Sequence, residues 1–261
     1  MTGARAEALG ALRRDPARTC VVSDFDGTLA SIVADYEDAR PLPGAVDTLL
    51  DLAREFGRVA LVSGRPAAFL VERLALRPPL PDALRISGLY GLESVDADGG
   101  VTVVPEAERW REPVESAAGR AEASRPRGLR VERKGLSVTL HWRQHPEMER
   151  WALGFASAAA DGLGLAVHRA RGSVELRPPL PVDKGTAVTD LAGGFAAACY
   201  LGDDIGDLPA FAALERMRSA GADTRKVAVL SGEVPPELVA AADLTVDGPA
   251  DALAFLRELA G

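Results

Sequence analysis

Lysine is almost missing from this chain. Of its 30 basic residues only Lys134, Lys184 and Lys226 are lysine. A lysine kept against that bias suits a position where a compact ammonium on a flexible stem is needed. Cysteine is also scarce: Cys20 and Cys199, with no CxxC spacing, exclude a disulfide framework and a thiolate zinc site. Each lies in an apolar run, where a free thiol behaves as a small hydrophobe. The three histidines, His141, His145 and His168, show no HExxH spacing, which argues against a histidine zinc centre. No stretch reaches the roughly 18 apolar residues of a membrane span, and the N-terminus lacks an apolar signal core. A cytoplasmic protein without a membrane partner is therefore expected. Positive charge is in deficit, with 38 acidic residues and a net charge of −8, so a general nucleic-acid binder is excluded.

What is present describes an ordinary soluble chain. Its 261 residues, 47% hydrophobic and 26% charged, can bury a substantial core in one large domain or two smaller ones. The organising stretch is Val21-Val22-Ser23-Asp24-Phe25-Asp26-Gly27-Thr28-Leu29. An apolar run reads as a buried parallel strand, and the polar burst falls at its C-terminal tip, where open α/β sheets gather their ligands. Asp24 and Asp26, two apart on extended backbone, point the same way. Gly27 permits a sharp turn and Thr28 offers a hydroxyl and an N–H. Such a pair suits phosphoryl transfer, one carboxylate as nucleophile and the other as acid and base. The same letters also suit an ordinary polar turn.

Strands and helices then alternate. Residues 1–18 read as a helical lead-in, and Ala45 to Phe56 carries apolar residues at helical spacing, with Gly57 closing the helix. Val59 to Val62 is a strand ending in Ser63-Gly64-Arg65-Pro66, with Pro66 in the first turn of the next helix. Ser63 suits either a phosphate oxygen or a helix N-cap. A strand over Ala83 to Ser87 and a hairpin turn over Asp96 to Gly100 complete this parallel-sheet half.

From about residue 105 to 181 the pattern changes. A charged helix over Glu106 to Ala123 precedes two hairpins, one turning at Lys134-Gly135 and the other at Arg171-Gly172, separated by a second helix. Val138, Leu140, Trp142, Val174 and Leu176 fall on one face; Ser137, Thr139, His141, Arg143, Ser173, Glu175 and Arg177 fall on the other. Residues 106–181 carry 13 basic and 10 acidic side chains, a net of +3 against −11 for the rest. This separate module suits an anionic substrate, or its polar face simply meets water. The run Pro178-Pro179-Leu180-Pro181 is a stiff exit that suggests a hinge. Asp183-Lys184-Gly185-Thr186 then opens a helix to Leu191, and the strand Ala196 to Leu201 ends in Gly202-Asp203-Asp204-Ile205-Gly206-Asp207. Three carboxylates so close repel one another unless a cation is present, and hard oxygen ligands near phosphate favour Mg²⁺. Short strands over Lys226 to Leu230 and Asp243 to Val246, and a helix over Ala250 to Leu259, finish the chain.

Asp24-Phe25-Asp26-Gly27-Thr28, Ser63-Gly64-Arg65, Lys184 and the Gly202 to Asp207 loop resemble the four ordered motifs of haloacid-dehalogenase-like phosphatases. Within that superfamily, three further stretches are similar to the trehalose-phosphatase family: Gly88-Leu89-Tyr90-Gly91-Leu92-Glu93; Glu132-Arg133-Lys134-Gly135 with His141-Trp142-Arg143; and Val174-Glu175-Leu176-Arg177-Pro178. The resemblance implies a Rossmann-like α/β core (residues 1–105 and 182–261) with an inserted α/β cap (106–181). It implies Asp24 as nucleophile, Asp26 as acid and base, and Ser63 and Lys184 on the phosphoryl oxygens. Mg²⁺ would be bound by Asp24, the Asp26 carbonyl and Asp203, with Asp204 and Asp207 arranging its waters or the lysine. Gly27, Thr28, Gly64 and Arg65 would line the phosphate, and Glu132, Lys134, His141, Arg143, Glu175 and Arg177 the sugar. Asp26, beside the Asp24 anion, is expected to hold its proton more readily.

The implied activity is Mg²⁺-dependent hydrolysis of a small sugar phosphate, trehalose 6-phosphate, by a free-standing monomer, with the synthase on a separate chain. The core motifs would equally serve a sucrose-, glycerate-conjugate- or hexose-phosphate phosphatase, or a phosphomannomutase. A non-catalytic sugar-phosphate-binding regulator would have no need for Asp26.

Overall fold

In chain order, helix α1 (Gly3–Leu12) precedes strand β1 (Thr19–Ser23), and α2 (Ala45–Glu55), β2 (Arg58–Val62), α3 (Ala67–Arg73) and β3 (Leu84–Gly88) follow. A hairpin of β4 (Glu93–Val95) and β5 (Val101–Val103) ends this run. The middle of the chain forms α4 (Pro105–Glu108), α5 (Arg111–Ser124), β6 (Arg130–Arg133), β7 (Val138–His141), α6 (Glu149–Leu163), β8 (Ala166–Ala170) and β9 (Ser173–Arg177). Alternation resumes with α7 (Lys184–Ala192), β10 (Ala197–Gly202), α8 (Leu208–Ser219), β11 (Asp223–Val229), α9 (Pro236–Ala241), β12 (Leu244–Val246) and α10 (Gly248–Ala260). This computed structural model describes residues 3–33, 35–232 and 234–261. Its backbone divides into two units, Val103–Pro181 and the remainder. No helix among the described residues is long and apolar enough to cross a membrane.

The first unit is built on an eight-stranded sheet of order β12-β11-β10-β1-β2-β3-β4-β5. The pairs from β12 through β3 are parallel and β4 is antiparallel to β3. The chain builds outward from β1 through β2 and β3, then returns to β10 on the other side of β1 and builds outward again. The reversal between β1 and β10 is the position where such sheets open a crevice at their strand tips. Alternation along the strands supplies two cores: Val21, Leu61, Cys199, Leu201 and Val227 pack with Leu49, Leu52 and Phe255 on one face. Cys20, Val22, Ala60, Val62, Ala198 and Tyr200 pack with Val188, Phe211, Leu214 and Leu238 on the other. Both cysteines are free and buried, as their apolar surroundings predict.

Several local expectations change. The lead-in helix stops at Leu12, a short 3₁₀ turn over Pro16–Arg18 follows, and the first two positions of that expectation lie outside the described residues. Phe56, extended at φ −91° and ψ 146°, ends α2, while Gly57 bonds its N–H to the Pro16 carbonyl at 2.9 Å. Pro66 caps α3 at ψ 143° rather than entering its first turn. The charged helix of the middle block breaks into α4 and α5 at Arg109 and Trp110. The hairpin at Asp96 forms as expected, the Asp96 carboxylate accepting the N–H groups of Asp98 and Gly100 at 3.1 and 2.7 Å.

The second unit is a four-stranded antiparallel sheet of order β6-β7-β9-β8, backed by α5 and α6. Val138, Leu140, Trp142, Val174 and Leu176 form its apolar face. Against them lie Ala117, Ala121, Ala152, Ala156 and Ala159, small side chains that let both helices approach the strands closely. Arg133 reaches the helix side and pairs with Glu115 and Glu122 of α5.

Candidate active site

Asp24 directly follows β1, and its N–H donates to the Leu201 carbonyl at 2.9 Å, extending the β1–β10 pairing by one step. Asp203, directly after β10, therefore sits beside it although 179 residues separate them in sequence. Lys184 is the first residue of α7. Asp183 fixes that turn with a capping box, its carboxylate accepting the Thr186 N–H at 2.8 Å while the Thr186 hydroxyl accepts the Asp183 N–H at 2.9 Å. The buried Lys184 ammonium then lies 3.0 Å from Asp24 Oδ2, 2.7 Å from Asp207 Oδ1 and 3.9 Å from Asp204 Oδ1.

Asp207 anchors the arrangement. Its Oδ1 accepts from Lys184 Nζ at 2.7 Å and from the Tyr200 hydroxyl at 2.6 Å. Its Oδ2 accepts the N–H groups of Asp203 and Asp204 at 2.8 and 3.0 Å. Both oxygens are thus engaged in holding the lysine and the loop backbone. Tyr200, fully buried on β10 and edge-on to Phe211, reads in sequence as one more apolar strand residue.

Charge here is poorly hydrated and mostly negative. Burial pushes the Asp24 carboxyl up; Lys184 opposes that shift, and Asp207, Asp203 and Asp204 reinforce it. Asp203 is pushed up to about 8 by burial and by Asp207 and Asp204. Burial works against the Lys184 ammonium, but Asp207 and Asp24 outweigh it and hold the group charged. Carboxylate oxygens of Asp24, Asp203 and Asp207 lie within 4.8 Å of one another. That spacing and an all-oxygen donor set fit one hard divalent cation, which would relieve the mutual repulsion. Gly27 belongs to the same packing: at φ 76° it turns the chain so tightly that a Cβ there would collide with the Asp203 carboxylate.

Asp26 is paired with Arg65. Arg65, assigned from sequence to the phosphate, bonds both oxygens of Asp26, Nε to Oδ2 at 2.7 Å and Nη2 to Oδ1 at 2.8 Å. Its Nη1 also donates to the Tyr36 carbonyl at 3.0 Å, and its guanidinium lies 4.9 Å from the Phe69 ring centre. Ser63, at the tip of β2 beside β1, accepts the Arg65 N–H on Oγ at 3.1 Å and is not the cap of α3. The buried Thr28 hydroxyl has no hydrogen-bond partner among the described residues.

The second unit gathers its own polar cluster. Register aligns Glu132, Thr139, Glu175 and His168 across the four strands. Glu175 accepts from Ser137 Oγ at 2.6 Å and from Lys134 Nζ at 3.2 Å. Lys134 Nζ is also 3.7 Å from Glu132, and Glu132 lies 2.8 Å from His141 Nε2. Arg177 follows Glu175 on the same face. Arg143 differs: it is exposed and donates to the Arg171 carbonyl at 3.4 Å, at the end of the hairpin. His168, in the row but not expected there, offered no pattern beyond its strand parity.

The trehalose-phosphatase family model matches residues 22–242. A trehalose-phosphate phosphatase of Mycobacterium leprae is 31% identical over 95% of this chain and 58% of its own length. One from Mycobacterium avium is 32% identical over 96% and 63%. The chain thus spans about three-fifths of the length of these two relatives. Among solved structures, the C-terminal domain of Candida albicans trehalose-6-phosphate phosphatase superposes with a TM-score of 0.78 at 21% identity, covering 98% of this chain and 97% of that one. A haloacid dehalogenase-like hydrolase from Bacteroides thetaiotaomicron gives 0.55 at 17%, over 92% and 98%. These likenesses establish the fold, a haloacid-dehalogenase-like α/β architecture, as the ordered motifs implied.

Proposed function

The chain belongs to the trehalose-phosphatase family, and on that premise we propose that it hydrolyses trehalose 6-phosphate to trehalose and inorganic phosphate. The observation that carries the reading is Asp24 Oδ2 held 3.0 Å from the buried Lys184 ammonium, with Asp203 beside it at the neighbouring strand tip.

In the first half-reaction Asp24 attacks phosphorus, the phosphorus–oxygen bond to the sugar breaks, and Asp26 delivers a proton to the departing oxygen. In the second, water attacks the aspartyl-phosphate, Asp26 accepts the water proton, and Asp24 leaves as carboxylate. Lys184 and Ser63 stabilise the phosphoryl oxygens as charge redistributes. Asp207 keeps the ammonium in place, and Asp26 must give up part of its Arg65 fork to exchange protons. Mg²⁺ would be held by Asp24, Asp203 and the Asp26 main-chain carbonyl, with Asp204 alongside, and when bound shields phosphate charge from the attacking carboxylate. Monoester hydrolysis is slow enough uncatalysed to need up to about 10²¹-fold acceleration, so charge placement of this kind is the dominant requirement.

The second unit supplies sugar selectivity, with Glu132, Lys134, His141, Glu175 and Arg177 meeting hydroxyl groups. The enzyme works as a cytoplasmic monomer on substrate made by a separate synthase. Phosphate release from trehalose 6-phosphate, sucrose 6-phosphate and glucose 6-phosphate, each with Mg²⁺ and with a chelator, tests the reading. Fast release from the first alone, abolished by chelation, is expected. Equal rates on all three would refute the selectivity, and no release from any would refute the phosphatase.

A further inference from the structure

Leu89 and Tyr90 both have left-handed backbone, φ 47° and 63°. Two successive side-chain-bearing residues in that region are strained and persist only where the surroundings enforce them. Here the enforcement comes from the loop that carries Ser63. The Tyr90 N–H donates to the Ser63 carbonyl at 3.0 Å and the Leu89 N–H to the Arg65 carbonyl at 2.9 Å. The Tyr90 ring lies on Gly64 so closely that a Cβ at 64 would sit 2.6 Å from both Cζ and the hydroxyl oxygen. On the other side, a Cβ at Gly91 would come 3.5 Å from Ala187, on the helix that begins with Lys184. Just beyond, Glu93 accepts the Ala67 N–H at 2.7 Å and so holds the start of α3. The strained turn is thus wedged between the two segments that supply the phosphoryl-binding groups.

We propose that Tyr90 is a positioning residue whose ring, presented by the left-handed turn, is the stop against which Gly64 closes, setting Ser63 on the phosphoryl group and Arg65 on Asp26. The glycine at 64 and the tyrosine at 90 are one device: the first leaves room that the second fills. This inference rests on the phosphatase reading, and both are separable in one experiment.

Wild-type turnover tests the phosphatase reading by itself. Ratios among Tyr90→Phe, Tyr90→Asn, Gly64→Ala and the Gly64→Ala/Tyr90→Asn double variant test the stop, read on p-nitrophenyl phosphate so that sugar selectivity does not enter. Asn accepts left-handed backbone, so Tyr90→Asn removes the ring and keeps the turn. Tyr90→Phe, which keeps the ring, is expected within about threefold of the parent kcat. Tyr90→Asn is expected to lower kcat by about 10–100-fold with KM moved less than about threefold, since an ångström of misplacement costs up to about 10²-fold. Inhibition by orthovanadate, which needs the same phosphoryl contacts, should weaken by a similar factor. Gly64→Ala should lose a comparable factor, and the double variant should be no slower than the slower single one. A Tyr90→Phe loss matching that of Tyr90→Asn would show a hydroxyl contact with substrate and overturn the stop. So would multiplying losses in the double variant, or unchanged vanadate inhibition. Gly64→Ala alone keeps the idea open to refutation if Tyr90→Asn does not fold, because parental kcat in that variant contradicts a filled Gly64 face.

Discussion

Arg65 grips Asp26 by both carboxylate oxygens, at 2.7 and 2.8 Å, while its own third contact and the Phe69 ring keep the guanidinium from turning away. A residue that acts through Asp26 must show it in leaving-group chemistry. General acid catalysis contributes about 10²–10⁴-fold where the departing oxygen needs a proton, and little where it does not. Arg65→Ala is therefore expected to slow single-turnover release of trehalose by about 10²-fold while leaving the burst of p-nitrophenolate within about threefold. Equal slowing of both would assign Arg65 to the phosphoryl group.

Asp24→Asn should abolish phosphate release without harming the fold. The buried carboxyl is crowded by Asp203 and Asp207, so a neutral amide of the same shape relieves repulsion, and Lys184 keeps its 2.7 Å bond to Asp207. In chelator the melting temperature should equal or exceed that of the parent. Measurable turnover in this variant would remove Asp24 as nucleophile.

Asp207→Ala should be the most damaging single change in the core unit. It leaves the Lys184 ammonium buried without its shortest contact and frees two loop N–H groups, and breaking such a pair costs about 3–5 kcal/mol. Tyr200→Phe removes one hydrogen bond and should cost about 1 kcal/mol. Urea unfolding of the two variants measures both, and equal losses would contradict the anchoring role of Asp207.

The acidic cluster also predicts how a cation and pH interact. Asp203 is pushed up to about 8, far above an unfolded carboxyl near ~4. The folded protein therefore holds its proton more tightly, and the resulting stability is fully present below about pH 4 and lost as pH rises towards 8. A divalent cation such as Mg²⁺ would bind the ionised form, so the gain in melting temperature with Mg²⁺ over chelator should be larger at pH 8 than at pH 5. An equal gain at both would show that Mg²⁺ does not bind at this cluster.

In the second unit, Lys134→Ala leaves Glu132 and Glu175 facing each other without the cation between them. Together with Glu175→Ala it should lower kcat/KM on trehalose 6-phosphate by about tenfold or more and leave p-nitrophenyl phosphate unaffected. Unchanged kcat/KM on the sugar substrate would remove this cluster from recognition.

The core strands and the polar loops at Asp24, Ser63 and Asp203 were legible because buried parallel strands read as short apolar runs and these loops lie where those runs stop. Asp24 and Asp203 could be named from that punctuation, whereas Lys184, at a helix start, could be named from the scarcity of lysine and the family resemblance. Tyr200, Tyr90 and the Arg65–Asp26 pair could not, because their roles depend on which side chains meet across elements, and strand parity says nothing about a partner 39 residues away. Helices α8 and α9 were missed for another reason. The first continues directly from the 3₁₀ turn, and its N-cap residue Asp207 spends its carboxylate on Lys184, Tyr200 and the loop N–H groups instead of on the helix; the second has only six residues.

The seating of β10 against β1 also constrains how the protein comes into being. A ribosome delivers β1 long before β10, so one edge of β1 stays bare until β10 has emerged, and through that interval the nascent chain displays an apolar strand open to wrong pairing. The loop that completes the surroundings of Asp24 is made 179 positions after it. A truncated product ending before residue 203 would thus hold Asp24 without the Asp203 and Asp207 carboxylates that surround it.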